Sequence, residues 1–240
     1  MISCRRLLLE GLDNARDLGG FLTIEKKITK FNQYIRCEEM SSITENDIIF
    51  LKEYGIQHCI DLRSYQQIER NPSPLAKISG IEYHVVNADT SFSERNEKIM
   101  QMDSFIPEIW SDILFDVLDE QSVWVGKTMQ LFANCNGGVI FNCNSGRNRS
   151  NLIALIIMAI AKVPFKDIIA EYSTNSYYLQ KAYFKWYLKE SHPLSFYETP
   201  PFVLENVIQR ILQKYESFDK YLLACDVKKD DILKIYHTIV

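Results

Sequence analysis

The sequence predicts an α/β protein with a mainly parallel central sheet flanked by helices. Three observations carry the prediction. Short apolar runs with β-branched centres occur at residues 56–62, 80–86 and 137–143. Stretches of helical periodicity separate and follow them. Residues 152–161 are apolar nearly all round, as a helix buried inside a layered core must be.

The elements follow in chain order. The opening segment places Arg5 and Arg6 before three leucines, but Glu10 and Asp13 follow at once. It is too short for a secretory leader and lacks a small-residue cleavage site. Residues 44–54 read as an amphipathic helix opened by Thr44 and ended by Gly55. The strand at 56–62 runs into a charged turn, Asp61-Leu62-Arg63-Ser64. The strand at 80–86 comes next, then a helix-rich stretch, 94–134, broken by Pro107. GGVIFNC (137–143) is the third strand. A glycine-containing turn leads into SNLIALIIMAIAKV, the buried helix. Pro164 opens a further helix at its first turn, over residues 164–180. Residues 202–240 keep helical periodicity. No repeat, low-complexity tract or long linker interrupts the chain. Residues 1–240 therefore read as a single domain whose C-terminal part, 165–240, is helical.

Composition excludes several classes. A net charge of −4 advertises no basic face for nucleic acid. The longest apolar run is well short of the roughly 20 residues that span a bilayer, so no stable membrane insertion and a cytoplasmic location are expected. Cysteines stand at 4, 37, 59, 135, 143 and 225 with no CxxC pair, which reads as free thiols. The histidines are separated and lack metal-ligand spacing, so no metal and no other cofactor is expected. His58, beside Cys59, reads as core packing.

The segment that carries chemistry is VIFNCNSGRNRSN, residues 139–151. It reads as strand, loop, helix. Ligands of open α/β sheets bind outside the carboxyl ends of strands. A loop entering a helix N-terminus aims backbone N–H groups at one spot, where the helix dipole adds positive charge. Residues 144–149 (Asn144, Ser145, Gly146, Arg147, Asn148 and Arg149) thus form a phosphate-sized cradle. A thiol there ionises more easily, which makes Cys143 a candidate nucleophile. Gly146 permits a sharp turn. Arg149 can hold two phosphate oxygens in a way lysine cannot. The Ser150 hydroxyl can donate to the sulfur when sulfur leaves.

With these residues in place, the chain resembles the cysteine-based protein tyrosine phosphatases. Within them it resembles the bacterial tyrosine and dual-specificity group that includes the lipid-active mycobacterial tyrosine phosphatase B. The likeness also rests on NARDLGGF (14–21), GIQHCIDLRSYQQIE (55–69), AEYSTNSYYL (170–179) and the pattern around KYESFDKYL, and so spans nearly the whole chain. It implies a tyrosine-phosphatase-like fold with a helical C-terminal extension. It implies hydrolysis of phosphotyrosine, and of phosphoserine or phosphothreonine, through a phosphocysteine. The substrate partner is then a phosphorylated protein. Two alternatives stand beside this: a phosphoinositide phosphatase, for which the extra cation Arg147 argues, and a weakly active phosphate-binding protein. The loop departs from the family pattern where Asn142 replaces histidine and Asn148 replaces a loop-borne acid. The resemblance places the general acid at Asp89, just after the second strand. Asp103, Asp112 and Asp116 read as a solvated helix face. Asp61 and Arg63 are expected to orient loops, Arg16 and Asp17 to brace the N-terminal segment. The aromatic residues of 177–188 are expected to pack helices or to line a lid.

Overall fold

A computed structural model describes residues 4–88, 108–190 and 198–240. Among these, one sheet is formed by β1 (Arg16–Asp17), β2 (Tyr34–Cys37), β3 (Ile56–Asp61), β4 (Glu82–Val85) and β5 (Gly138–Asn142). Its order is β1-β2-β5-β3-β4. Only β1 pairs antiparallel; β2, β5, β3 and β4 run parallel. The mainly parallel sheet read from the sequence is therefore present, and β5 lies at its centre, paired on both sides.

Two apolar clusters cover the two faces, as a parallel sheet requires. Along β5 the pleat sends Val139 and Phe141 into the larger cluster and Ile140 into the smaller. On β3 a bulge between Ile56 and His58 disturbs the alternation. Ile56 and Cys59 face the small cluster although three residues apart, while Ile60 faces the large one.

The smaller cluster lies under α1 (Glu45–Glu53). Thr44 caps this helix as its sequence predicts, and Asp47 completes a capping box. Two further helices, α2 (Tyr65–Arg70) after β3 and α3 (Glu108–Glu120), lead to α4 (Ser122–Asn134). The central helix α5 (Arg149–Ile160) has Leu152 to Met158 all buried.

The helix expected over 164–180 is divided. Pro164 is the N-cap rather than the first helical residue, with ψ of 135°. The chain continues as α6 (Phe165–Ser173), α7 (Asn175–Tyr178) and α8 (Gln180–Glu190). Thr174 and Asn175 turn their hydrogen bonds inward at the break: Thr174 Oγ1 donates to Glu171 O and Asn175 Nδ2 to Tyr172 O. The C-terminal periodicity resolves into α9 (Pro201–Tyr215), α10 (Phe218–Ala224) and α11 (Lys229–Ile239). Their apolar faces, including Val207, Ile211, Tyr221 and Ile235, close the larger cluster against α3, α4 and α5. Strands β1 and β2 are too short to show a periodicity, and helix α2 is marked only by the capping box of Ser64 and Gln67.

Replacing Ile157, which is fully buried in α5, by alanine should cost about 2–5 kcal/mol. Urea denaturation should show a lowered midpoint with an unchanged slope.

Candidate active site

Cys143 follows the last residue of β5, and Arg149 opens α5. The loop between them is buried except at Asn144 and Ser145. Gly146 has φ of +70°, and a Cβ there would lie 2.9 Å from the Cys37 backbone. Only glycine fits this left-handed turn against a neighbouring strand.

The loop's carbonyls are tied from behind. Glu39 N donates to Asn144 O at 3.0 Å, and Asn14 Nδ2 to Ser145 O at 3.3 Å. Arg36 Nη2 donates to Gly146 O, and its Nη1 to Asn151 Oδ1 at 2.8 Å. Carbonyls turned outward in this way leave the N–H groups for the inner side of the loop. Arg36 is fully buried, as are Arg16, Asn14 and Asn175. Glu171 on α6 pairs with Arg16 and lies 3.6 Å from Arg36. Asn175 Oδ1 accepts from Asn14, Arg16 and Arg36.

The Cys143 sulfur lies 3.3 Å from the Ser150 hydroxyl. Burial by itself raises a thiol pKa. Here the Arg149 guanidinium, the Ser150 hydroxyl and the backbone N–H groups of Ser150 and Asn148 outweigh it, and the pKa falls below its usual 9.0. Arg149 is held by Leu62 O (2.8 Å) and by Gln67 Oε1 of α2 (2.9 Å).

Asp61, fully buried at the end of β3, organises the strand ends around this centre. It accepts from Arg63 Nη2 at 2.7 Å, Tyr83 Oη at 2.6 Å and Asn142 Nδ2 at 3.3 Å. Arg63 reaches Asn71 O and Glu39. Both residues thus orient loops, as expected. Asp17 likewise receives Gly19 N, Asn32 N and the Tyr54 hydroxyl, bracing the N-terminal segment. Arg147 is buried, with its guanidinium 4.6 Å from the Trp110 ring centroid of α3. Asn148 is the N-cap of α5 but makes no side-chain capping bond. Asp112 and Asp116 pair with Arg210 on the surface, whereas Asp89 and Asp103 lie outside the described residues. Of the 177–188 aromatics, Tyr183 is buried while Tyr177 and Phe184 are exposed.

Sequence reasoning missed Arg36, Glu171, Asn175 and Gln67 as parts of the site. Glu171 and Asn175 stand inside the segment that carried the family likeness, but nothing in their spacing tells that they reach the loop. No signal marks Arg36.

Fold and site together define a class: an α/β protein with a cysteine of lowered pKa at the start of a buried loop that ends in arginine. The chain belongs to the tyrosine phosphatase family, whose family model matches residues 7–240. It is 26% identical over 156 residues to a tyrosine-protein phosphatase of Nostoc commune, covering 61% of this chain and 49% of that protein. It is 25% identical over 178 residues to a Cupriavidus necator protein provisionally named a tyrosine-protein phosphatase, covering 69% of this chain and 61% of that one. The chain thus spans about half to three fifths of the length of these curated relatives.

Two outcomes are expected. Alkylation of Cys143 by iodoacetate, followed by peptide mass mapping, should reach half its maximal rate below pH 9 and slow as pH falls through the thiol pKa. Ser150→Ala should move that midpoint upward. Separately, Glu171→Gln leaves two buried guanidinium groups without a counter-charge. It should cost about 3–5 kcal/mol of stability by chemical denaturation.

Proposed function

We propose that the protein hydrolyses phosphotyrosine through a phosphocysteine intermediate without a metal ion. The observation that carries this reading is the lowered pKa of the buried Cys143 thiol, beside Arg149 and Ser150.

In the first step the Cys143 thiolate attacks phosphorus and the bond from phosphorus to the ester oxygen breaks. The loop N–H groups of 144–149 and the Arg149 guanidinium hold the three equatorial oxygens, where charge gathers. Asp89 gives its proton to the leaving oxygen. In the second step Asp89 takes a proton from water, which attacks phosphorus. The P–S bond breaks and the Ser150 hydroxyl donates to the departing sulfur. Free thiolate and inorganic phosphate result.

Support for Asp89 comes from its neighbours. Residues 86–88 leave β4 at the same, carboxyl, end of the parallel strands as Cys143 leaves β5. Val86 O is held there by Trp124 Nε1 at 2.9 Å, and Ala88 is buried. The lowered thiol pKa supports an enzyme over a passive phosphate-binding protein. The burial of Arg147 on Trp110 supports a role in seating the loop, and so favours a protein substrate over a phosphoinositide head group.

Turnover of a phosphotyrosine peptide should persist with chelator present and vanish in Cys143→Ser. Asp89→Asn should lower kcat on that peptide by about 10²–10⁴-fold. It should lower the rate on p-nitrophenyl phosphate far less, because that leaving group needs no proton. Activity surviving Cys143→Ser, or equal losses on the two substrates in Asp89→Asn, would contradict the assigned roles.

A further inference from the structure

Away from the Cys143 loop, at the end of the sheet where β3 and β4 begin, three separate segments bring metal-ligating side chains together. His58 lies on β3, Glu82 and His84 on β4, and Cys135 directly after α4. The register pairs His58 with Glu82 and Ile60 with His84. Partners in a parallel sheet point the same way, so the two histidines and Glu82 share the face on which α4 packs. His58 and Ile60 are two residues apart and share that face by the pleat, the β3 bulge lying between Ile56 and His58.

The spacing suits one small cation. His58 Nδ1 is 3.4 Å from His84 Nε2. Glu82 Oε2 is 3.5 Å from the first and 3.6 Å from the second. One ligand atom each from His58, His84 and Cys135 all lie within 4.8 Å of one another. A tetrahedral Zn²⁺ with Zn–N bonds of about 2.0–2.1 Å sets its nitrogen ligands roughly 3.3–3.4 Å apart.

The outer contacts agree. His58 Nε2 lies 3.1 Å from Asn136 O. A carbonyl only accepts, so Nε2 carries the proton and Nδ1 turns its lone pair toward the cluster. A ligating histidine is commonly oriented in this manner. Imidazole and thiolate together select zinc-type ions over magnesium or calcium.

We propose that His58, Glu82, His84 and Cys135 form a tetrahedral Zn²⁺ site that ties β3, β4 and the α4–β5 connection together. Four protein ligands make it a closed, structural site rather than a catalytic one. On binding, the Cys135 S–H proton leaves to solvent and a Zn–S bond forms. Both imidazoles bind neutral and Glu82 binds as carboxylate.

The test uses the Cys143→Ser chain, which removes the other reactive thiolate. After dialysis against chelator, calorimetric titration with Zn²⁺ in buffers of different ionisation enthalpy should show one equivalent bound and one proton released. Co²⁺ in its place should give a thiolate charge-transfer band that disappears in Cys135→Ser. His84→Ala should weaken Zn²⁺ binding by more than the roughly 100-fold that loss of an outer contact can cause. Zn²⁺ should raise the melting temperature of the Cys143→Ser chain but not that of either double variant. His84 and Cys135 are only half-buried, so both variants should keep the parent's circular dichroism. Undiminished Zn²⁺ affinity in both folded variants, or no Zn²⁺ uptake by the parent, overturns the proposal.

Discussion

The carboxylate of Glu171 offsets two fully buried guanidinium groups, Arg16 and Arg36, and Arg36 in turn holds the loop that carries Cys143. Without that counter-charge neither arginine could stay out of water, since burying an unpaired ion costs several kcal/mol. With it, Arg36 can spend its remaining hydrogens on Gly146 O and Asn151. Three elements far apart in the chain meet here: β1 through Arg16, β2 through Arg36, and α6 through Glu171. The break after α6 belongs to the same arrangement, because it sets Asn175 where its amide oxygen receives three of these donors.

The thiols of the chain show what this arrangement does. Cys37, Cys59 and Cys143 are all buried. Burial pushes the first two well above the usual thiol pKa, and carboxylates nearby, Glu38 for Cys37 and Asp61 for Cys59, push further. Cys143 faces the same desolvation but moves the other way, because a guanidinium, a hydroxyl and two backbone N–H groups point at its sulfur. The acidity of a buried thiol is therefore a property of what converges on it. The loop supplies the N–H groups only while its carbonyls are held outward by Glu39, Asn14 and Arg36.

The two ends of the sheet are linked by the same strands. β3 begins beside the His58, His84 and Cys135 cluster and ends at Asp61, which gathers Arg63, Tyr83 and Asn142 next to the cysteine. Asn142 takes up Asp61 where the family pattern has histidine. This gives the strand end a hydrogen-bonded partner while leaving the sulfur's surroundings to Arg149 and Ser150.

Much of the framework could be read from residues alone. The β-branched centres of β3 and β5, the Thr44 cap and the all-apolar α5 are local patterns, set by propensity and periodicity within a few residues. The cysteine loop is legible for the same reason: cysteine, glycine, arginine and serine lie within eight positions. What failed to show was of another kind. β1 and β2 carry arginines because their side chains point into a polar network, so they lack the apolar alternation of a half-buried strand. The division of the 164–180 helix follows from side-chain hydrogen bonds that compete with the helix backbone. The sequence by itself thus determined the layered class, the central strand and helix, and the chemical groups of the loop. Tertiary structure alone decided which distant residues neutralise, orient or approach those groups. Charge pairing and side-chain convergence depend on distance in space, and chain spacing carries no record of it.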